Sequence, residues 1–179
     1  MNPHVARLAE RIPPPAASEP KDWGPVETRL GTALPQDYKE LVDTYGGGLF
    51  DDAIWLLEPG CANKYYDLST ENEGRMEMLR RLWERSAPRP PELEEAGSRV
   101  ITWALTENGD NLYWLVRPGQ KPDEWTVMIG EGRGPEWERY PMPAAQFLES
   151  ILLTGEVESD IFFDLPADTH EFQSSASFL

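Results

Sequence analysis

Residues 100–117 read VITWALTENGDNLYWLVR. Two apolar runs, 100–105 and 112–117, flank the hydrophilic stretch TENGDN, which has Asn108-Gly109 at its centre. That pair favours the positive φ angles of a tight hairpin turn, so the segment predicts two antiparallel neighbours in a sheet. After the turn GQKPDE, Trp125, Val127 and Ile129 alternate with Thr126 and Met128, the period-2 pattern of a third strand. Residues 137–141 add a short fourth. Upstream, LFDDAIWLL at 49–57 reads as one more strand, leaving through Pro59 and Gly60.

Helical patterns surround these strands. Trp23, Val26 and Leu30 recur at helical spacing, and Gly31 suits the left-handed residue that closes a helix. Tyr38, Leu41, Val42 and Tyr45 follow at i, i+3, i+4, i+7, with Pro35 in the first turn and Gly46-Gly47-Gly48 at the end. Trp23 and Tyr38 begin these two stripes, and both rings are expected to be largely buried. Thr70 and Glu73 have capping-box spacing ahead of Met76, Leu79 and Trp83, which predicts a long helix over 70–85. The proline- and charge-rich stretch 86–97 is a loop. Ala144, Phe147, Leu148, Ile151 and Leu152 make an apolar stripe over 143–153, ended by Gly155.

This order predicts an α+β fold: an antiparallel sheet of about four to six strands packed against N-terminal helices, a mid-chain helix and a C-terminal helix. The domain spans 23–155. Val5, Leu8 and Ile12 can form one amphipathic turn or two before Pro13-Pro14-Pro15, so residues 1–22 read as a leader. No Lys or Arg follows Arg139, and residues 156–179 read as a solvated acidic tail in which Ile161, Phe162 and Phe163 are the candidates for docking on the body.

Charge narrows the function classes. The chain of 179 residues carries 32 acidic and 16 basic side chains, a formal net charge of −16. Phosphate-backbone binding draws its affinity from Lys and Arg displacing counterions, so nucleic acid is an improbable direct partner for this chain. Anionic membrane surfaces are disfavoured for the same reason. A basic protein is the natural complement, because opposite fields steer encounter. Cys61 is the one cysteine, which excludes an internal disulfide and cysteine-based zinc ligation. The first residues lack the apolar run of a signal peptide, and a cytoplasmic location is expected.

No motif carries catalysis. His4 and His170 lie near the two ends, without HExxH or CxxC context, so neither a metal site nor another cofactor is expected. Cys61 has no histidine beside it and reads as an inert thiol. Residues 107–111 lack the alternating ligand ladder of a calcium loop and read as a hairpin turn. Adjacent carboxylates on a strand point to opposite faces, which weakens a hydrolase reading. The more productive pattern is a rim: Asp51, Asp52, Glu107, Asp110, Asp123, Glu124 and Glu131 all fall in or beside turns. Such a rim can imitate a nucleic-acid backbone and occupy a basic cleft.

Taken together the landmarks resemble the SUKH superfamily, which includes bacterial immunity proteins and a yeast regulator of cell-wall synthesis. The resemblance rests on W-x-x-V-E-x-x-L-G over 23–31, L-P-x-D-Y-K over 34–39, Tyr45-Gly46-Gly47, the strand at 54–57, Trp103, Asn108-Gly109-Asp110, Trp114, Pro122 to Trp125, and Phe147-Leu148. It covers roughly 23–153. It implies a binding protein without catalytic residues, whose typical bacterial member neutralises a toxin, often a nuclease. A regulatory or scaffold module of the same fold is the alternative it implies.

Overall fold

The hairpin read from 100–117 is the centre of the sheet. A computed structural model of the chain describes residues 1–16 and 18–178. The strands are β1 (Gly48–Phe50), β2 (Ile54–Leu56), β3 (Arg99–Leu105), β4 (Asn111–Val116), β5 (Thr126–Gly130), β6 (Trp137–Tyr140) and β7 (Phe172–Ser174). They form one antiparallel sheet in the order β6-β5-β4-β3-β2-β1-β7. A bulge in β3 between Thr102 and Ala104 puts both Trp103 and Ala104 in the core.

Six helices flank it: α1 (Pro3–Arg11), α2 (Gly24–Leu30), α3 (Gln36–Tyr45), α4 (Leu68–Asn72), α5 (Arg75–Arg85) and α6 (Ala144–Glu149). Helices α1, α2, α3 and α6 bury their stripes in one core with Ile101, Trp103, Leu112, Trp114, Val127 and Ile129 of one sheet face. The opposite face carries a smaller cluster, Val100, Tyr113, Leu115 and Met128, covered by Leu79 of α5 and by Leu93. Thus the pleat sends alternate residues of β3, β4 and β5 into two cores of unequal size.

Tyr38 is fully buried: it meets Trp114 edge-on at 4.9 Å, and its hydroxyl donates to the Leu57 carbonyl at 2.5 Å. Trp23 differs from expectation. It is half-buried at the edge of the core, packing on Tyr38 at 5.7 Å while the Lys39 ammonium lies over its ring. Its truncation therefore removes less than the 3–5 kcal/mol of a fully buried aromatic.

Two local readings change. Residues 49–57 are a hairpin rather than one strand, because Asp51 and Asp52 both take left-handed φ angles, +51° and +53°, and the Ala53 N–H closes the turn on the Phe50 carbonyl. The predicted helix over 70–85 is broken at Gly74 (φ +72°) into α4 and α5. Asp67 caps α4 by accepting from the Thr70 N–H, so the Thr70–Glu73 capping box is absent.

Both ends of the chain enter the packing. Val5, Leu8 and Ile12 of the expected leader are fully buried, and the Tyr45 hydroxyl donates to the Ile12 carbonyl at 2.7 Å. Helix α1 is tied to α6 by His4 and Arg7, both on the buried Glu149 carboxylate. The residues expected as a solvated tail return as β7 against β1. There Phe172 packs on Tyr45 and Phe50, and Phe162 is buried.

Two predictions follow from these ends. Deleting 168–178 removes Phe172 from its aromatic cluster, and at about 2–4 °C per kcal/mol for a chain of this length we expect a loss of about 5 °C or more in a thermal melt. An unchanged melting temperature would mean that β7 adds nothing. The second concerns pH. The Arg7 guanidinium, bonded to Glu149, holds that carboxyl below the usual glutamate range despite its desolvation. A depressed folded-state pKa contributes stability above the unfolded pKa that is lost as pH falls through the folded one. The stability gap between wild type and Glu149→Gln should be full above the ordinary glutamate range and should shrink as the pH is taken below it, read by urea melts at each pH.

Candidate functional site

Antiparallel topology decides which turns meet. The β1–β2, β3–β4 and β5–β6 turns, with the entry into β7, all lie at one end of the sheet. Asp51, Asp52, Glu107, Asp110 and Glu131 are therefore brought to a common end. Asp123 and Glu124 sit in a single 3-10 turn (Pro122–Glu124) in the β4–β5 connection, at the opposite end. The seven sequence candidates do not form one rim.

Most of them already hold backbone. Asp51 is interior: its carboxylate takes the His170 ring nitrogen at 2.7 Å and the Glu171 N–H at 2.8 Å, fastening β7 to the β1–β2 turn. Asp110, expected in an exposed turn, is buried. It accepts from the Thr106 hydroxyl at 2.9 Å and the Gly132 N–H at 2.8 Å, stitching the β3–β4 turn to the β5–β6 turn. That stitch explains Gly132, where an added Cβ would come within 2.4 Å of the Gly109 backbone. Only Gly109 of the Asn-Gly pair is left-handed, at φ +86°.

Glu107 is exposed and accepts from the Trp55 indole N–H at 2.9 Å. Glu131 is half-buried and Asp52 exposed. At the other end, Asp123 accepts from the Gln36 N–H and Glu124 from the Lys121 N–H.

Two carboxylates at the acidic end were not anticipated, Glu136 and Glu171, both exposed. Glu136 follows from the β5–β6 hairpin. Glu171 joins only because β7 pairs with β1, for which a three-residue strand leaves little trace in the sequence. The solvent-facing set at this end is thus Asp52, Glu107, Glu131, Glu136 and Glu171, with Arg133 standing among them.

The remaining chemistry is structural. Asp37 caps α6 by accepting from the Ala145 N–H at 2.9 Å; burial pushes its carboxyl above the usual range and that bond partly offsets the rise. Glu27 accepts from the Leu34 N–H and from Lys39, joining α2 to α3. Burial raises the Cys61 thiol, with neighbouring Glu58 acting the same way, which disfavours the reactive thiolate. Among the described residues no group of three or more His, Cys, Asp or Glu side chains is placed to hold a metal, and no helix is long and apolar enough to cross a membrane.

The two kinds of carboxylate should separate in a urea melt. We expect Asp110→Ala to cost about 1–3 kcal/mol, because the Gly132 N–H and the Thr106 hydroxyl lose their acceptor. Glu136→Lys, on an exposed side chain, should stay within about 0.5 kcal/mol. Equal effects would place Asp110 among the surface charges.

Comparison with known proteins locates the chain. No curated protein and no solved structure matches it. A SUKH family model described as SMI1-KNR4 cell-wall matches residues 20–141, which takes in the sequence from the approach to α2 through the end of β6. That match covers most of the chain, including α2 and α3, the hairpin and the stitched turns, and the protein belongs to the SMI1-KNR4 family of the SUKH superfamily.

Proposed function

We propose that this protein is a non-enzymatic immunity protein that binds a cognate toxin domain carrying a basic cleft, with the acidic end of the sheet as the contact surface. The observation that carries the reading is the cluster of solvent-facing carboxylates at that end, Asp52, Glu107, Glu131, Glu136 and Glu171. The three turns that bear them and the entry into β7 are fixed by internal hydrogen bonds, so the charges are presented with little ordering left to do on binding. Charge complementarity of this kind sets association rate and partner choice, and a few anchors carry the affinity. Family membership supports a protein-interaction module.

A second reading has its own support. The description of the matching family model, SMI1-KNR4 cell-wall, favours a regulatory or scaffold module binding a cellular protein with no toxin involved.

Co-production with a toxin domain, drawn from a gene beside this one where such a gene is found, separates the two. Under the immunity reading, growth is restored, and purified partners associate at a rate that falls at least tenfold between about 0.05 M and 0.5 M salt as the Debye length shrinks to roughly 4 Å. The double variant Glu136→Lys with Glu171→Lys should slow association at low salt while leaving the fold intact. No rescue, or a rate indifferent to salt and to these charges, would overturn the acidic-end reading.

A further inference from the structure

A groove of about 310 Å³ lies between α5 and the outer face of the sheet, the face only partly covered by the smaller core. Met78, Leu79, Leu82 and Trp83 of α5 form one wall, and Tyr113 and Trp137, stacked at 5.5 Å, stand on the sheet side. Met78 and Leu82 are 43% and 46% exposed, so the groove is apolar surface left open to water. Arg75, Met78, Leu82 and Arg85 recur at i, i+3, i+7, i+10, one row along the helix with a guanidinium at each end. Arg75 is paired with Glu71, whereas exposed Arg85 has no ion-pair partner among the described residues. Arg89 lies over the Trp83 ring at 5.0 Å. Arg85 and Arg89 thus stand beside the groove, at the C-terminal end of α5 and just after it, while the lining itself carries the paired Arg75 and, on the opposite wall, Glu131.

The complementary shape is on the same chain. Phe163 is 82% exposed, more than any other aromatic ring of the described residues, and exposed Asp160 and Asp164 flank it. Its turn is rigidly held. The Glu138 carboxylate accepts from the Ser159 hydroxyl and the Asp160 N–H, Tyr140 donates to the Glu158 carbonyl, and adjacent Phe162 is buried. Glu138 and Tyr140 point to the main-core face of β6, whereas Trp137 lines the groove on the other face. A molecule cannot bring this pinned turn around β6 into its own groove.

We propose that Phe163 of one copy seats in the α5 groove of a second copy, with Asp160 and Asp164 facing Arg85 and Arg89. The two patches are different surfaces, so the contact is heterologous and propagates head to tail rather than closing as a symmetric dimer. The assignment does not rest on the acidic-end reading: Glu131 borders both surfaces, but the occupant is a second copy of this chain and the contacts tested are α5 and Phe163. Like net charges on the two copies oppose approach at low salt, and at about 0.15 M the Debye length of roughly 8 Å leaves mainly the local contacts.

Sedimentation velocity from about 5 to 500 μM at that salt tests the proposal, in the concentration range of weak contacts. The wild type should show a mass average that rises with concentration and passes that of a dimer. Phe163→Ser and Leu82→Glu, both at exposed positions, should each remain monomeric, with melting temperatures within a few degrees of wild type. Arg85→Glu should weaken association several-fold. The decisive arm mixes the two single variants: one retains the groove and the other the ring, so the mixture should form dimers and stop there. A wild type monomeric throughout, either single variant assembling as wild type does, or a mixture that stays monomeric would overturn it.

Discussion

The first turn of α3 is the constraint on which the rest of the structure leans. Tyr38 there is sealed from water, donates to the Leu57 carbonyl just past β2 and meets Trp114 of β4 edge-on. One residue earlier, Asp37 caps α6, whose own N-cap is Pro143 with no side chain to offer. A single helical turn thus sets the distance of two helices from the sheet. The Tyr38 hydroxyl and the Asp37 carboxylate are both taken out of water, so each requires its partner in place. Displacing α3 would expose the central indoles and uncap α6 together. This is cooperative packing built from two adjacent side chains.

Much of this was legible from periodicity. The stripes of α3 and α6 and the alternation of β5 are repeated several times within one segment, so they survive local exceptions. What failed rested on single residues. Gly74 outweighed a capping-box spacing because a left-handed glycine ends the preceding helix whatever follows it. Asp51 and Asp52 turned the strand read at 49–57 into a hairpin, since Asp tolerates left-handed φ and Asp51 gains two bonds there. Residues 1–22 and 156–179 read as appendages because their anchors, Val5, Leu8 and Phe172, are few and widely spaced. Their burial depends on surfaces made by distant parts of the chain.

The candidate site was legible in part. Turns could be read, and alternating hairpins of an antiparallel sheet share an end, which places Glu107, Asp110 and Glu131 together. Sequence does not say which carboxylates remain free. Asp110 and Glu107 belong to the same turn and differ completely in exposure, because only one faces the Gly132 N–H across the next hairpin. The contribution of Glu171 required a strand pairing between residues 120 positions apart in the chain.

The stitching of turns by carboxylates has a consequence for how such a surface can diversify. Where an acid accepts from a backbone N–H of another turn, its identity is tied to chain geometry. Exchange for a neutral or basic residue loosens a loop as well as altering a charge. Asp51 and Asp110 are in that position, and the field they add is a fixed background. Asp52, Glu136 and Glu171 have side chains that bear no such duty, and they are interleaved with the fixed ones along the same edge. Under the proposed function, retargeting to a new partner is therefore confined to a sparse set of replaceable letters written on a frame that must stay acidic.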